Sequence, residues 1–168
     1  MELYILRHGK AQDHAQTISG DAKRQLTETG KNELECIAKA MKNLQVEVDS
    51  IISSPLIRAK QTAEITLKHI KSKKKSISIW NELKPEIDVV KTIKKLTTLK
   101  PTSAVLLVGH EPHLTNLIGA IISSDSNSID ITLKKAGLVH IRCNPVKTKI
   151  SGSLRSLITP KQLKKLCR

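Results

Sequence analysis

The tetrapeptide Leu6-Arg7-His8-Gly9 follows directly on the apolar run Leu3-Tyr4-Ile5. A short strand that ends there would present an arginine, a histidine and a glycine together at its C-terminal edge. An arginine fork binds phosphate bidentately, and a neighbouring imidazole can attack phosphorus or carry a proton. The glycine would let the backbone approach a ligand closely. Two later segments carry the same kinds of residue. Arg58 follows Ser53-Ser54-Pro55, and His110 follows the continuous apolar run of residues 104–108 through Gly109. Taken singly, Arg7-His8 is also compatible with a polar strand end, Arg58 with a solvated helix arginine, and His110 with a corner histidine that satisfies backbone groups. Placed at one edge of one sheet, the four would form a phosphate clamp around a nucleophile.

The elements needed to bring them together are legible in the pattern. Residues 2–6 read as a strand, and residues 10–26 as a long polar connection with Ser19-Gly20-Asp21 as its turn. Thr27 is a helix N-cap, and Leu34, Ile37, Ala38, Met41 and Leu44 recur at helical spacing to about residue 44. Residues 49–53 form the next strand. Ser54-Pro55 reads as a helix start, with the hydroxyl as cap and proline at the first helical position, and the helix runs to about residue 70. An exposed Lys-rich connection (71–75), a strand (76–80) and a helix (89–99) follow. Residues 104–108 read as a central buried strand, and Gly109-His110-Glu111-Pro112 turns into a helix ending near residue 122. After a polar loop at 123–128 come strands at 129–133 and 138–143, an ambiguous stretch at 149–158 and a short helix at 160–166. Alternating strands and helices predict one α/β domain over residues 1–168, a three-layer sandwich with a mostly parallel central sheet, helices on both faces and a mixed edge. In such sheets ligands bind at the carboxyl ends of the strands, where helix N-termini favour anions.

Composition narrows the partners. Lys and Arg number 29 against 15 Asp and Glu, a net charge of +14 with the lysines in clusters such as Lys71-Ser72-Lys73-Lys74-Lys75 and Lys134-Lys135. The excess is either a solvated surface or an attraction for an acidic or phosphorylated protein or a nucleic acid. Tyr4 and Trp80 are the only aromatics other than histidine, so the stacking platform of single-strand binders is missing and nucleic acid is the weaker reading. No apolar run approaches the roughly 20 residues that span a bilayer, and no basic segment leading into an apolar core opens the chain, so no membrane is expected. Cys36, Cys143 and Cys167 are an odd, widely spaced set without CxxC, which reads as free thiols in a reducing cytoplasm. His110-Glu111-Pro112-His113 is not HExxH, and two guanidinium groups nearby would repel a cation, so no metal is expected. His14, His69 and His140 are isolated and read as surface or strand-face residues.

Leu6-Arg7-His8-Gly9, Arg24-Gln25-Leu26-Thr27-Glu28-Thr29-Gly30, Ser53-Ser54-Pro55-Leu56-Ile57-Arg58-Ala59-Lys60-Gln61-Thr62-Ala63, Leu107-Val108-Gly109-His110-Glu111-Pro112 and Leu157-Ile158-Thr159-Pro160-Lys161-Gln162-Leu163 together resemble the histidine phosphatase (phosphoglycerate mutase-like) superfamily. Within it the chain is similar to the small SixA-type phosphohistidine phosphatases, without the helical insertions of the larger mutases. The resemblance implies a phosphoglycerate mutase-like fold in minimal form and a phosphatase needing no cofactor or metal. His8 would be the nucleophile and carry a phosphohistidine intermediate. Arg7 and Arg58 would clamp the phosphoryl oxygens, His110 would donate to them, and Arg24 matches a position that can reach the phosphate. Glu82, in Asn81-Glu82-Leu83, falls where larger relatives carry the general acid, although a solvated loop carboxylate is the alternative. The implied substrate is phosphohistidine on a protein. The rivals are a small-molecule phosphomonoester phosphatase and a non-catalytic basic module that binds phosphoprotein or RNA.

Overall fold

The computed structural model of the protein describes residues 1–13, 18–123, 129–147 and 149–167, with Ile18 and Ser19 described by backbone alone; His14 and most of the loop at 123–128 lie outside them. Strands β1 (Glu2–Arg7), β3 (Ser50–Ser53), β5 (Ile77–Ile79), β6 (Ala104–Gly109), β7 (Leu138–Val146) and β8 (Lys149–Ile158) form a six-stranded sheet in the order β5-β3-β6-β1-β7-β8. β5, β3, β6 and β1 are parallel, and β7 and β8 add an antiparallel edge. Two-residue strands β2 (Glu47–Val48) and β4 (Lys71–Ser72) pair separately. The expected mostly parallel sheet with helices on both faces is what the chain adopts.

Side-chain alternation along the central strands feeds two cores. Leu3 and Ile5 of β1 and Val105 and Leu107 of β6 face helices α4 (Val89–Leu96) and α5 (His113–Ile122), where Leu96, Leu114, Leu117 and Ile118 are fully buried. Leu6, Ile51, Leu106 and Val108 face the opposite layer, made of α2 (Glu28–Asn43), α3 (Ile57–His69) and α6 (Pro160–Lys165). With strands apolar on both sides, the polar residues of β1 and β6 are confined to their ends. The α2 cap is as expected: Thr27 Oγ1 accepts from the Gly30 amide at 3.0 Å.

The structure departs from the pattern-based reading in five places. Residues 10–26 contain a short helix, α1 (Ile18–Lys23), too brief to show a hydrophobic period. Helix α3 begins at Ile57 with Leu56 at the cap and no side-chain cap bond; the Ser54 hydroxyl accepts from the Leu56 amide one step earlier and is shared with His110. Residues 129–133 form no strand: the Leu133 carbonyl is taken by Arg7, and the Ala136 amide turns in toward the carbonyls of Arg7 and His8. The Lys-rich connection is not wholly exposed, since it contributes β4, whose Ser72 is buried and donates to the Lys74 carbonyl. Finally, Cys36 and Cys167 are paired in a disulfide and only Cys143 is free. α6 packs on α2 and brings their Cα atoms to 5.2 Å, well within bridging distance. The pairing removes the cysteine argument for a reducing compartment. Among the described residues no helix is long and apolar enough to cross a membrane.

Candidate active site

β1 and β6 lie side by side in parallel register with Arg7 opposite Gly109. The residues that follow, His8 and His110, therefore leave adjacent strand ends together, and the His8 amide donates to the Gly109 carbonyl at 3.1 Å. Their rings stand 5.0 Å apart, centroid to centroid, tilted by 48°. β3 lies on the other side of β6, and the Ser54 amide just beyond it donates to the Val108 carbonyl. This places the N-terminal turn of α3, with Arg58, against the same edge. Thr62 locks the two sides: its hydroxyl donates to the Arg58 carbonyl at 2.7 Å and accepts from the Gly9 amide at 3.1 Å.

Gly9 serves packing rather than ligand approach. A Cβ there would stand 2.5 Å from Leu34 Cδ1, so the glycine lets α2 close on the strand end.

Arg7, His8, Arg24, Arg58 and His110 line one cleft of about 230 Å³, which also receives Asp21, Glu111 and Lys135. His8 is 5% exposed, Arg58 4% and His110 1%. His8 Nδ1 lies 2.7 Å from the Gly9 carbonyl. A carbonyl only accepts, so Nδ1 carries the proton and Nε2 keeps its lone pair. Burial, reinforced by Arg58, Arg7 and Lys135, pushes the His8 pKa down to about 3 against the pull of the Gly9 hydrogen bond. His8 is thus neutral and nucleophilic at neutral pH without any proton being removed from it.

His110 is held through the other ring nitrogen. Its Nε2 shares a 2.9 Å hydrogen bond with Ser54 Oγ, which accepts from the Leu56 amide. Ser54 is fully buried, and its own proton finds its acceptor in His110 Nε2. The proton of the neutral imidazole then sits on Nδ1, a buried atom with no protein partner. Burial, then the proximity of His8 and Arg58, pushes the His110 pKa to about 2; a phosphoryl dianion would supply the missing counter-charge.

The arginines are anchored by one edge and free on the other. Arg7 Nη1 donates to the Leu133 carbonyl at 2.7 Å, and its Nε is buried without a partner. Arg58 Nη1 and Nη2 donate to the Asp21 carbonyl (2.8 Å) and Asp21 Oδ2 (3.0 Å), and its Nε is likewise buried and unpartnered. In both cases Nε, the inner member of the fork that matches two phosphoryl oxygens, is left available. Arg24 donates from Nη1 to the Gln12 carbonyl at 2.7 Å and places Nε 2.8 Å from Asp21 Oδ1.

Glu82 is not brought to this cleft. Its carboxylate accepts from Lys95 Nζ at 2.8 Å, and Lys95 lies over the Trp80 ring. The lysine holds the Glu82 carboxyl below its ordinary range. The acidic residue after His110, Glu111, does line the cleft: Thr115 donates to its Oε2, while Oε1 is buried and unpartnered. His113, the other histidine of the HEPH segment, points elsewhere, with Nδ1 on the Ile87 carbonyl and Nε2 on Thr92 Oγ1. His69 and His140 pair with Glu35 and Glu2. Asp21, Ser54, Thr62, Glu111 and Lys135 went unread as site residues. Ser54, Thr62 and Glu111 lie within the recognised motifs, which is the signal that could have flagged them; Asp21 and Lys135 lie outside them.

The matching family model is that of the histidine phosphatase superfamily, branch 1, over residues 3–89. An uncharacterized protein of Picosynechococcus sp. is 30% identical over 97% of this chain and 99% of its own. The phosphohistidine phosphatase SixA of Escherichia coli is 27% identical over 75% of this chain and 77% of its own. Among solved structures, protein histidine phosphatase SixA complexed with tungstate superposes with a TM-score of 0.85 at 24% identity, covering 97% of this chain and 99% of that one. The chain belongs to the histidine phosphatase superfamily, and within it is similar to the SixA phosphatases.

Proposed function

We propose that the protein removes phosphate from phosphohistidine on a protein, without a metal ion, using His8 as nucleophile. In the first half-reaction His8 Nε2 attacks phosphorus in line. The substrate P–N bond breaks, and the departing imidazole leaves neutral when its distal nitrogen carries a proton. Arg7 and Arg58 hold the equatorial oxygens, Arg24 assists, and His110 Nδ1–H donates to the charge there; such positioning and electrostatic stabilisation is what phosphoryl transfer chiefly requires. Water then attacks the phosphohistidine at position 8, orthophosphate leaves, and His8 returns to its starting state.

The observation that carries the choice of substrate is the state of the carboxylates. Lys95 keeps Glu82 ionised outside the cleft, and Arg58 and Arg24 outweigh burial to hold Asp21 ionised inside it. Neither has a proton to give an alkoxide, whereas an imidazole departs without one. The naming of the Escherichia coli relative as a phosphohistidine phosphatase supports the same reading. Lys135 at the cleft and the basic surface suit an acidic protein as carrier of the phosphohistidine.

One observation favours the small-molecule phosphomonoester alternative: Glu111 does reach the cleft. A single assay separates the two. Wild-type protein is expected to release phosphate from a phosphohistidine protein in the presence of chelator, and His8→Ala to be slower by at least about 10³-fold. Faster turnover of small phosphate esters at matched concentration would transfer the assignment to the ester phosphatase.

A further inference from the structure

Arg58 and Arg24 are separated by 33 intervening residues, yet one carboxylate joins them. Asp21 Oδ2 lies 3.0 Å from Arg58 Nη2, and Asp21 Oδ1 lies 2.8 Å from Arg24 Nε. The backbone carbonyl of Asp21 adds a third contact, accepting from Arg58 Nη1 at 2.8 Å. We propose that Asp21 is a positioning residue that binds Arg58 and Arg24 into one unit and orients the free fork of Arg58 toward the phosphoryl group.

The geometry separates this role from that of a competing anion. A guanidinium has an end edge, formed by the outer hydrogens of its two Nη atoms, and a side edge, formed by Nε–H and the inner hydrogen of Nη2. Asp21 occupies the end edge of Arg58. The side edge keeps a buried Nε with no protein partner, and Arg58 is among the residues that line the cleft. Arg7 is organised alike, with Nη1 on the Leu133 carbonyl and a buried, unpartnered Nε. There a neutral carbonyl suffices because no second arginine adjoins it through the same anchor. At Arg58 the neighbouring charge of Arg24 works against the guanidinium, and the Asp21 carboxylate offsets it. One negative charge between two positive ones lets both stand at the same phosphate, and a carboxylate can grip both because it has two oxygens.

The inference rests on the cleft being the phosphate site and is independent of whether the substrate is phosphohistidine or an ester. Its sign is informative. Removing a negative charge from the cleft should by electrostatics alone tighten anion binding, whereas losing an arginine's orientation should weaken it. The test uses the full chain and measures orthophosphate and tungstate binding by calorimetry, with KM and kcat in parallel, for wild type, Asp21→Asn and Asp21→Glu. Positioning predicts orthophosphate binding weaker by about 10-fold in Asp21→Asn, KM raised in proportion, kcat changed far less, partial recovery in Asp21→Glu, and an unaltered melting temperature. Tighter binding would make Asp21 a competitor, unchanged binding a bystander, and a parallel fall in kcat, binding and melting temperature a structural prop; each overturns the proposal. Failure of wild type to bind either oxyanion would instead overturn the phosphate site itself.

Discussion

The two ends of the central sheet carry similar charged residues and use them oppositely. At the carboxyl ends of β1, β3 and β6, Arg7, His8, Arg58 and His110 are pinned by the carbonyls of Leu133, Gly9 and Asp21 and by Ser54. Beside the amino ends, Lys71 pairs with Glu47 at 2.7 Å within the separate β2-β4 ribbon and Lys73 with Asp49 at 2.5 Å, but these lysine side chains are 82% and 83% exposed. Arg142 pairs there with Glu2 and is also largely solvated. Water screens the second set, so its ion pairs contribute little. In the first set burial alters the groups themselves, depressing both histidines and leaving unpartnered donors on residues that line the cleft. Charge becomes chemistry at one end because solvent has been removed and the backbone has fixed the geometry.

That contrast can be broken first at Arg58. Arg58→Lys keeps the charge but has no fork to hold Asp21 and phosphate together, so kcat/KM should fall by about 10²-fold; a loss under threefold would show that charge alone suffices. Stability against pH sharpens it next. In the unfolded chain both histidines take up a proton near pH 6.5, but in the folded protein only near pH 3 for His8 and pH 2 for His110. Between about pH 6.5 and 3 the unfolded state therefore binds more protons, and stability falls as pH falls, by up to about 1.4 kcal/mol per pH unit for each histidine. Urea midpoints across this range should show a shallower slope in His110→Gln, and an unchanged slope would mean that His110 titrates normally when folded. The smallest effect belongs to the other end: Lys73→Gln should alter stability by no more than about 0.5 kcal/mol and kcat/KM by less than twofold. A larger catalytic loss would show that the solvated end communicates with the cleft.

The features legible in the sequence were those written in local pattern. Apolar runs marked β1, β3 and β6, and the register of parallel strands carried His8, Arg58 and His110 to one edge although a hundred residues separate the first from the last. What escaped depends on tertiary pairing. Asp21 lies in a turn-like stretch, and its role exists only because α1 meets the start of α3. Ser54 reads as a helix cap, and its hydroxyl does accept from the Leu56 amide, but it also holds His110, which no local pattern announces. Residues 129–133 alternate like a strand, but they pair with no strand and the Leu133 carbonyl accepts from Arg7, a tertiary contact outside the local pattern. Glu82 stands at the expected place along the chain but outside the cleft, paired with Lys95 thirteen residues on, a partner that local pattern does not announce.

β1 is hydrogen-bonded on both sides, to β6 and to β7, whereas α1 is six residues long and reaches the site through the ion pairs of Asp21. Amide hydrogens along residues 3–6 should accordingly be among the last to exchange with solvent, at the free energy of global opening, and those of the α1 turn among the first. His8, the proposed nucleophile, rides on the most durable part of the molecule, and the proposed arginine clamp is fastened from one of the least. Warmed short of melting, the protein would loosen its grip on phosphate while its two histidines still faced each other.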